Sequence, residues 1–304
     1  MQPFLSGRLV LSGGAMREVR KNRSPLRAFW TLLAGVVLVS MTIFRAGPVA
    51  ADQQLLGGGV SISQGNSPQS GFLVDFSRGF ESATQYLSDF DMDTDWLFAA
   101  FRKTNVVFGK DGMSLFARRT ENEAAYSVSE FQRQGFYGYG RYEVVMRPSG
   151  VGGVVSSFFT HTGTQFGDPH SEIDFEFVGK YPRQVHLNYY TEGQDDPQNI
   201  DLWFDPSREE HLYAFEWSRD SIAWYIDGVK VRETTSETSP IGIPTHSGRL
   251  IMNVLTGNRL AEAWIGTPDF ERTSSLYRCI SHVPLGERGP QCSDVFKVPA
   301  TSQE

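Results

Sequence analysis

Three acidic residues at alternate positions, Glu172, Asp174 and Glu176, stand out in the heptapeptide Ser171-Glu-Ile-Asp-Phe-Glu-Phe177. Side chains alternate along an extended strand, so these three share one face, while Ile173, Phe175 and Phe177 take the other and can enter a core. Carboxylates set so closely repel one another. In a partly dry groove that repulsion raises the pKa of at least one and leaves another ionised. One acid to protonate a leaving oxygen and one anion at the sugar carbon is what glycoside hydrolysis requires. At roughly 3.3 Å per residue the Cα atoms of Glu172 and Glu176 would lie about 13 Å apart. Side chains leaning together can then reach the carboxyl separation of retaining enzymes, about 5–5.5 Å, or that of inverting ones, about 6.5–9.5 Å. Spacing alone therefore leaves the stereochemistry open. The same trio would also suit a solvated acidic strand face, or a calcium site built from carboxylate oxygens.

The surrounding chain reads as short strands that could hold such a segment. Apolar alternation recurs in 141–147, 173–177, 185–190, 215–217, 222–226 and 249–255. Asp227-Gly228, set between Ile226 and Val229, signals a two-residue hairpin turn. With no long amphipathic helix and no repeat inside 71–270, the pattern predicts an all-β fold, an antiparallel β-sandwich spanning 71–272. Residues 52–70, with Gly57-Gly-Gly and Gly65-Asn-Ser-Pro68, read as a flexible lead-in, and 273–304 as an irregular tail. Cys279 and Cys292 are the only cysteines and are read as one disulfide closing a short loop.

The first fifty residues differ from the rest. Arg17, Arg20, Lys21, Arg23 and Arg27 precede an apolar run from Phe29 to Phe44, followed by small residues up to Ala51. This is the pattern of a secretory signal peptide over 1–51, cleaved after Ala51, and Met16 would suffice as its start. The apolar run is short of the roughly 20 residues a spanning helix needs, so no stable membrane anchor is expected after cleavage. Export would place the protein in the periplasm or outside the cell, where a disulfide persists. The formal net charge is −7, and the chain beyond residue 51 is more acidic, near −13. Duplex binding needs a basic face, so nucleic acid is not an expected partner.

Several ordered blocks resemble glycoside hydrolase family 16, the lichenase and laminarinase group. They are Glu172-Ile-Asp-Phe-Glu-Phe177, Ser129-Glu-Phe, Tyr137-Gly-Tyr-Gly-Arg-Tyr-Glu-Val, Gly153 to Thr160, Asn188-Tyr-Tyr-Thr191, Tyr213-Ala-Phe-Glu-Trp217, Trp224 to Gly228 and Met252-Asn253. The resemblance covers roughly 71–270. It implies a jelly roll, concanavalin A-like, with a concave glycan-binding sheet. It further implies Glu172 as nucleophile, Glu176 as general acid/base and Asp174 as the group that tunes the nucleophile, in a retaining reaction. The uninterrupted Glu-x-Asp-x-Glu spacing resembles the lichenase side of the family. Glu130, Asn188, Tyr190 and Asn253 fall where that pattern places substrate contacts, and amides, hydroxyls and aromatic faces suit sugars. His170 and Trp264 are further candidates for the cleft.

Departures bear on the substrate. Gln132 stands where lichenases usually carry Arg, His161 where they carry Tyr, His170 where they carry Trp, and Leu255 where they carry Trp. The expected substrate is therefore a bacterial exopolysaccharide of the succinoglycan type or a mixed-linkage β-glucan, cut internally at β-1,3/β-1,4-glucosidic bonds by a monomer. The alternatives are a glycan-binding module without catalysis and a transglycosylase on the same fold. No cofactor is required. A structural calcium is the one metal the resemblance brings into view, and Ser281 replaces its C-terminal Asp ligand.

Overall fold

A computed structural model describes residues 69–93, 98–121 and 125–297. The expected signal peptide and most of the lead-in lie outside the described residues. In chain order the strands are β1 (Phe72–Asp75), β2 (Gln85–Leu87), β3 (Asp91–Asp93), β4 (Phe98–Phe101), β5 (Val106–Gly109), β6 (Gly112–Arg119), β7 (Tyr126–Tyr137), β8 (Gly140–Arg147), β9 (Val155–Thr162), β10 (Ser171–Val178), β11 (Gln184–Thr191), β12 (Gln194–Asp195), β13 (Gln198–Asp201), β14 (His211–Trp217), β15 (Ser221–Ile226), β16 (Val229–Thr235), β17 (Gly248–Leu255) and β18 (Arg272–Pro284). Two four-residue helices, α1 (Glu262–Ile265) and α2 (Cys292–Val295), flank β18. Among the described residues no helix is long and apolar enough to cross a membrane.

The strands form two antiparallel layers. One runs β2-β7-β17-β9-β10-β11-β13. The other runs β16-β15-β14-β8-β18, with β6 and β1 sharing the far edge of β18. β7 stitches them, because its first residues also pair with β6 and, in parallel, with β4.

Aromatic rings seal the layers. Phe175 and Phe177 of β10 meet Tyr213 of β14 at 5.7 and 4.7 Å between ring centroids, and Phe158 of β9 meets Phe215 at 5.8 Å. Tyr142 stacks on Phe215 at 4.6 Å. All six of these side chains are at most 2% exposed. Each such ring stabilises the sandwich by roughly 1.5–3 kcal/mol through removal of apolar area from water. β10 is thus anchored by its odd-numbered side chains, which fixes the outward aim of its even-numbered ones.

Local backbone chemistry agrees with this plan. Asp227 and Gly228 both have positive φ (49° and 82°), the conformation a tight hairpin between β15 and β16 demands. Asp227 also accepts the Leu212 amide proton and pairs with His211, tying the turn to β14. At Gly248 a Cβ would sit 2.9 Å from backbone atoms of His161. Glycine there lets β17 close on β9.

The expectation of an irregular tail from residue 273 is overturned. β18 is a thirteen-residue strand in the middle of its sheet, pairing with β6, β8 and β1. Its polar residues obscured it: Ser275 is fully buried yet satisfied by the Ser149 amide at 3.0 Å and the Ser156 hydroxyl at 2.6 Å. Those partners lie more than a hundred residues away, so no local alternation announces the strand. Cys279 of β18 is disulfide-bonded to Cys292 of α2, carrying the ordered structure past Pro284.

Candidate active site

Because β10 lies between β9 and β11, and β9 is followed by β17 and β7, register sets rows of side chains across the face turned from the core. One row reads Arg249, His161, Glu172, Tyr190. The next reads Tyr86, Gln132, Ile251, Phe159, Asp174, Asn188. The third reads Glu130, Asn253, Ser157, Glu176, His186. Glu172, Asp174 and Glu176 therefore occupy one face, together with Glu130, Asn188, Tyr190 and Asn253. The face is polar and yet recessed: Glu172 is 7% and Asp174 2% exposed, while Glu176 is half-buried.

Glu172 is held by two imidazoles. Nε2 of His170 and Nδ1 of His161 lie 2.7 and 3.1 Å from its Oε2. The Gln165 side-chain amide donates to Nε2 of His161 at 2.8 Å, which leaves Nδ1 to carry the proton that His161 donates to Glu172. Burial keeps the His161 ring neutral by lowering its pKa, against the pull of Glu172. His170 stacks on Tyr190 with centroids 4.4 Å apart, which fixes the ring plane. Burial by itself would raise the Glu172 carboxyl; hydrogen bonds from the two imidazoles outweigh it and hold the group at about 2.

The other two carboxyls behave oppositely. Burial first, and repulsion from Glu172 second, push Glu176 well above the usual carboxylate range. Burial, then the charges of Glu172 and Glu176, do the same to Asp174. His186, opposite Glu176 in the register, does not supply a cation: burial lowers its pKa to about 3 while Asn199 accepts from its Nδ1 at 2.6 Å. One strand thus presents an anion at one end and a neutral acid at the other. That combination can protonate a departing oxygen and place negative charge against the carbon it leaves.

The remaining polar groups line the same floor. Ser88 and Gln132 donate to Oε1 of Glu130 at 2.6 and 2.7 Å. Ser157 donates to the amide oxygen of Asn253. Asn188 accepts the Tyr189 amide proton through its side-chain oxygen, while its Nδ2 has no hydrogen-bond partner among the described residues. His170, placed beside the cleft by sequence, touches Glu172 directly. Trp264 is corrected: it sits on α1 at 6% exposure, packed with Val155, Val178, Ala261 and Ile265, and offers no open platform to a sugar ring. Its ring centroid lies 6.5 Å from that of His186.

Four contributors escaped the sequence reading. Arg249 donates to Gln132 at 3.1 Å and lies 4.8 Å over the Phe166 ring, returning a guanidinium to the place where Gln132 replaces the family's Arg. Tyr86 of β2 joins the Gln132 row, half-buried. Gln165 and Ser157 support His161 and Asn253. Arg249, Tyr86 and Ser157 depend on pairings between distant segments, while Gln165 turns back onto His161 from the loop that follows β9; no local pattern marks any of them.

The implied calcium does not fit at Ser281. Its hydroxyl is neutral, fully buried and accepts the Cys292 amide proton at 3.1 Å, whereas calcium needs six to eight oxygen ligands with carboxylates among them. The disulfide lies in the sheet opposite the carboxylates and takes no part in the site.

Comparison with known proteins agrees with this geometry. Residues 93–270 match the model of Glycosyl hydrolases family 16. A beta-glucanase of Paenibacillus polymyxa is 36% identical over 189 residues, covering 62% of this chain and 77% of that protein. The crystal structure of a prokaryotic beta-1,3-1,4-glucanase (lichenase) from a mouse hindgut metagenome superposes with a TM-score of 0.66 at 31% identity, covering 71% of this chain and all of the other. The Bacillus licheniformis beta-glucanase structure gives 0.65 at 30% identity, covering 71% and 99%. With the matched segment holding the acidic trio and most of its cleft partners, this chain is a glycoside hydrolase and belongs to glycosyl hydrolases family 16.

Proposed function

We propose that the protein is a retaining endo-β-glucanase that hydrolyses internal β-1,3-1,4-type glucosidic bonds, with Glu172 as nucleophile and Glu176 as general acid/base. One observation carries the assignment: two imidazoles keep Glu172 ionised while Glu176, four residues along the same strand, stays protonated. Glu176 delivers its proton to the glycosidic oxygen as Glu172 attacks the anomeric carbon. The bond to the leaving sugar breaks and a glycosyl-Glu172 ester forms. Glu176, now a carboxylate, takes a proton from water, which displaces Glu172 and restores both groups. Asp174, neutral between them, shields Glu172 from a second negative charge.

The related proteins act as beta-glucanases, and that activity extends to this chain through its shared family and site. A finer reading concerns the polymer. His161 and His170 hydrogen-bond Glu172 at positions where lichenases carry flat aromatic platforms, and the loss of those platforms favours a bacterial exopolysaccharide with β-1,3 and β-1,4 glucosyl links over unsubstituted mixed-linkage glucan. Export belongs to the same proposal, supported by the basic-then-apolar segment before Ala51 and by the disulfide Cys279–Cys292. Reducing-end release from lichenan, laminarin and succinoglycan, followed by product sizing, tests it. The expected result is internal cleavage with succinoglycan turned over fastest; turnover of laminarin alone, or products longer than the substrate, would refute it.

A further inference from the structure

We propose that His161, His170 and Glu172 form a binding site for a borderline divalent transition ion such as Zn2+, and that occupancy blocks hydrolysis. One donor atom from each of the three residues lies within 4.8 Å of the other two. Both ring nitrogens already converge on one carboxylate oxygen, at 2.7 and 3.1 Å. Donors around a tetrahedral zinc at roughly 2.0–2.1 Å sit about 3.3 Å apart, between the shortest and longest separations of these three atoms, so a modest side-chain adjustment admits the ion. Two imidazoles and one carboxylate are a donor set zinc uses where a fourth position stays open. Two of the three donors are imidazole nitrogens, which Ca2+ and Mg2+, as hard oxygen-seeking ions, do not favour.

A second observation points the same way. To ligate through Nδ1, His161 must move its proton to Nε2, which then needs an acceptor. Gln165 faces Nε2 with its amide nitrogen, while its oxygen has no hydrogen-bond partner among the described residues. Rotation of that amide by half a turn supplies the acceptor, and metal-bound histidines almost always donate their other N–H in this way. The exchange balances: the ion displaces the Nδ1 and Nε2 protons of His161 and His170 from Oε2, one proton shifts to Nε2 of His161 within the ring, and the His170 proton settles on its Nδ1. The blocking half rests on the nucleophile role proposed for Glu172, since a cation on its carboxylate neutralises the charge that attacks and crowds the anomeric carbon. The binding half does not.

The test titrates the full chain, stripped with EDTA, with Zn2+ and separately with Co2+, following heat, visible absorption and β-glucan hydrolysis together. One Zn2+ per chain, a tetrahedral Co2+ spectrum and hydrolysis falling in step with occupancy are expected, with recovery on adding EDTA and no effect of Mg2+. His161→Gln and His170→Gln should each weaken Zn2+ binding at least about tenfold. Gln165→Ala, which leaves the ligands in place, should weaken it several-fold and covers the case in which a histidine variant does not fold. Absence of saturable binding below roughly 1 mM, or binding indifferent to all three substitutions, overturns the site. Binding that leaves hydrolysis intact overturns the block and counts against Glu172 as nucleophile.

Discussion

The two ends of β10 carry the same residue type and end up in opposite states. At Glu172 two imidazoles aim nitrogens at one carboxylate oxygen, and the group ionises despite burial. At Glu176 the register supplies Ser157 on one side and a neutral His186 on the other, and burial prevails. Three residues of strand lie between them. Acid and anion are thus assigned by what the neighbouring strands bring, while the strand itself supplies only alignment.

Removing either end breaks the comparison with the largest effect. Glu172→Gln keeps the shape and loses the attacking oxygen, so kcat should fall by about 10⁴-fold or more with an unchanged circular dichroism spectrum. Glu176→Gln should cost roughly 10²–10⁴-fold on glucan and erase the alkaline limb of the pH–rate profile, with a smaller loss on aryl glycosides whose leaving group needs no proton. His170→Gln sharpens the comparison by turning the first end towards the second. The Glu172 pKa should rise, moving the acid limb of kcat/KM to higher pH, with a rate loss at neutral pH of about tenfold.

Stability follows the same sign. Glu172 has a folded pKa of about 2 against an ordinary 4.5, so its contribution is present above pH 4.5 and is lost as pH falls towards about 2. Thermal melts of the wild type and Glu172→Gln should therefore converge as pH drops through that window. Away from the cleft the effect on rate should be least. Cys279→Ser with Cys292→Ser removes a link closing a loop of 13 residues and should cost about 3 kcal/mol of stability, with kcat/KM on glucan unchanged.

Period-two alternation made the shared face of Glu172, Asp174 and Glu176 readable from the sequence, because parity along one strand is a local property. Asp227-Gly228 was readable for the same reason. What could not be read is pairing across distance. His161 reaches Glu172 because β9 and β10 meet in one register out of several, and Arg249 reaches Gln132 across 117 positions of sequence. β18 escaped notice because its buried Ser275 is satisfied by the remote Ser149 and Ser156, and no apolar alternation marks the strand locally. Trp264 misled in the opposite direction, since an aromatic near a cleft motif can as easily close a satellite core.

Carbon-13 NMR of the side-chain carboxyls in glutamate-labelled protein, assigned with Glu172→Gln and Glu176→Gln and followed from pH 2 to pH 9, reads the two states directly. Glu172 should titrate near the bottom of that range and Glu176 well above the ordinary carboxylate value. Both groups titrating together near 4.5, or in the reverse order, would contradict the assignment of anion and acid.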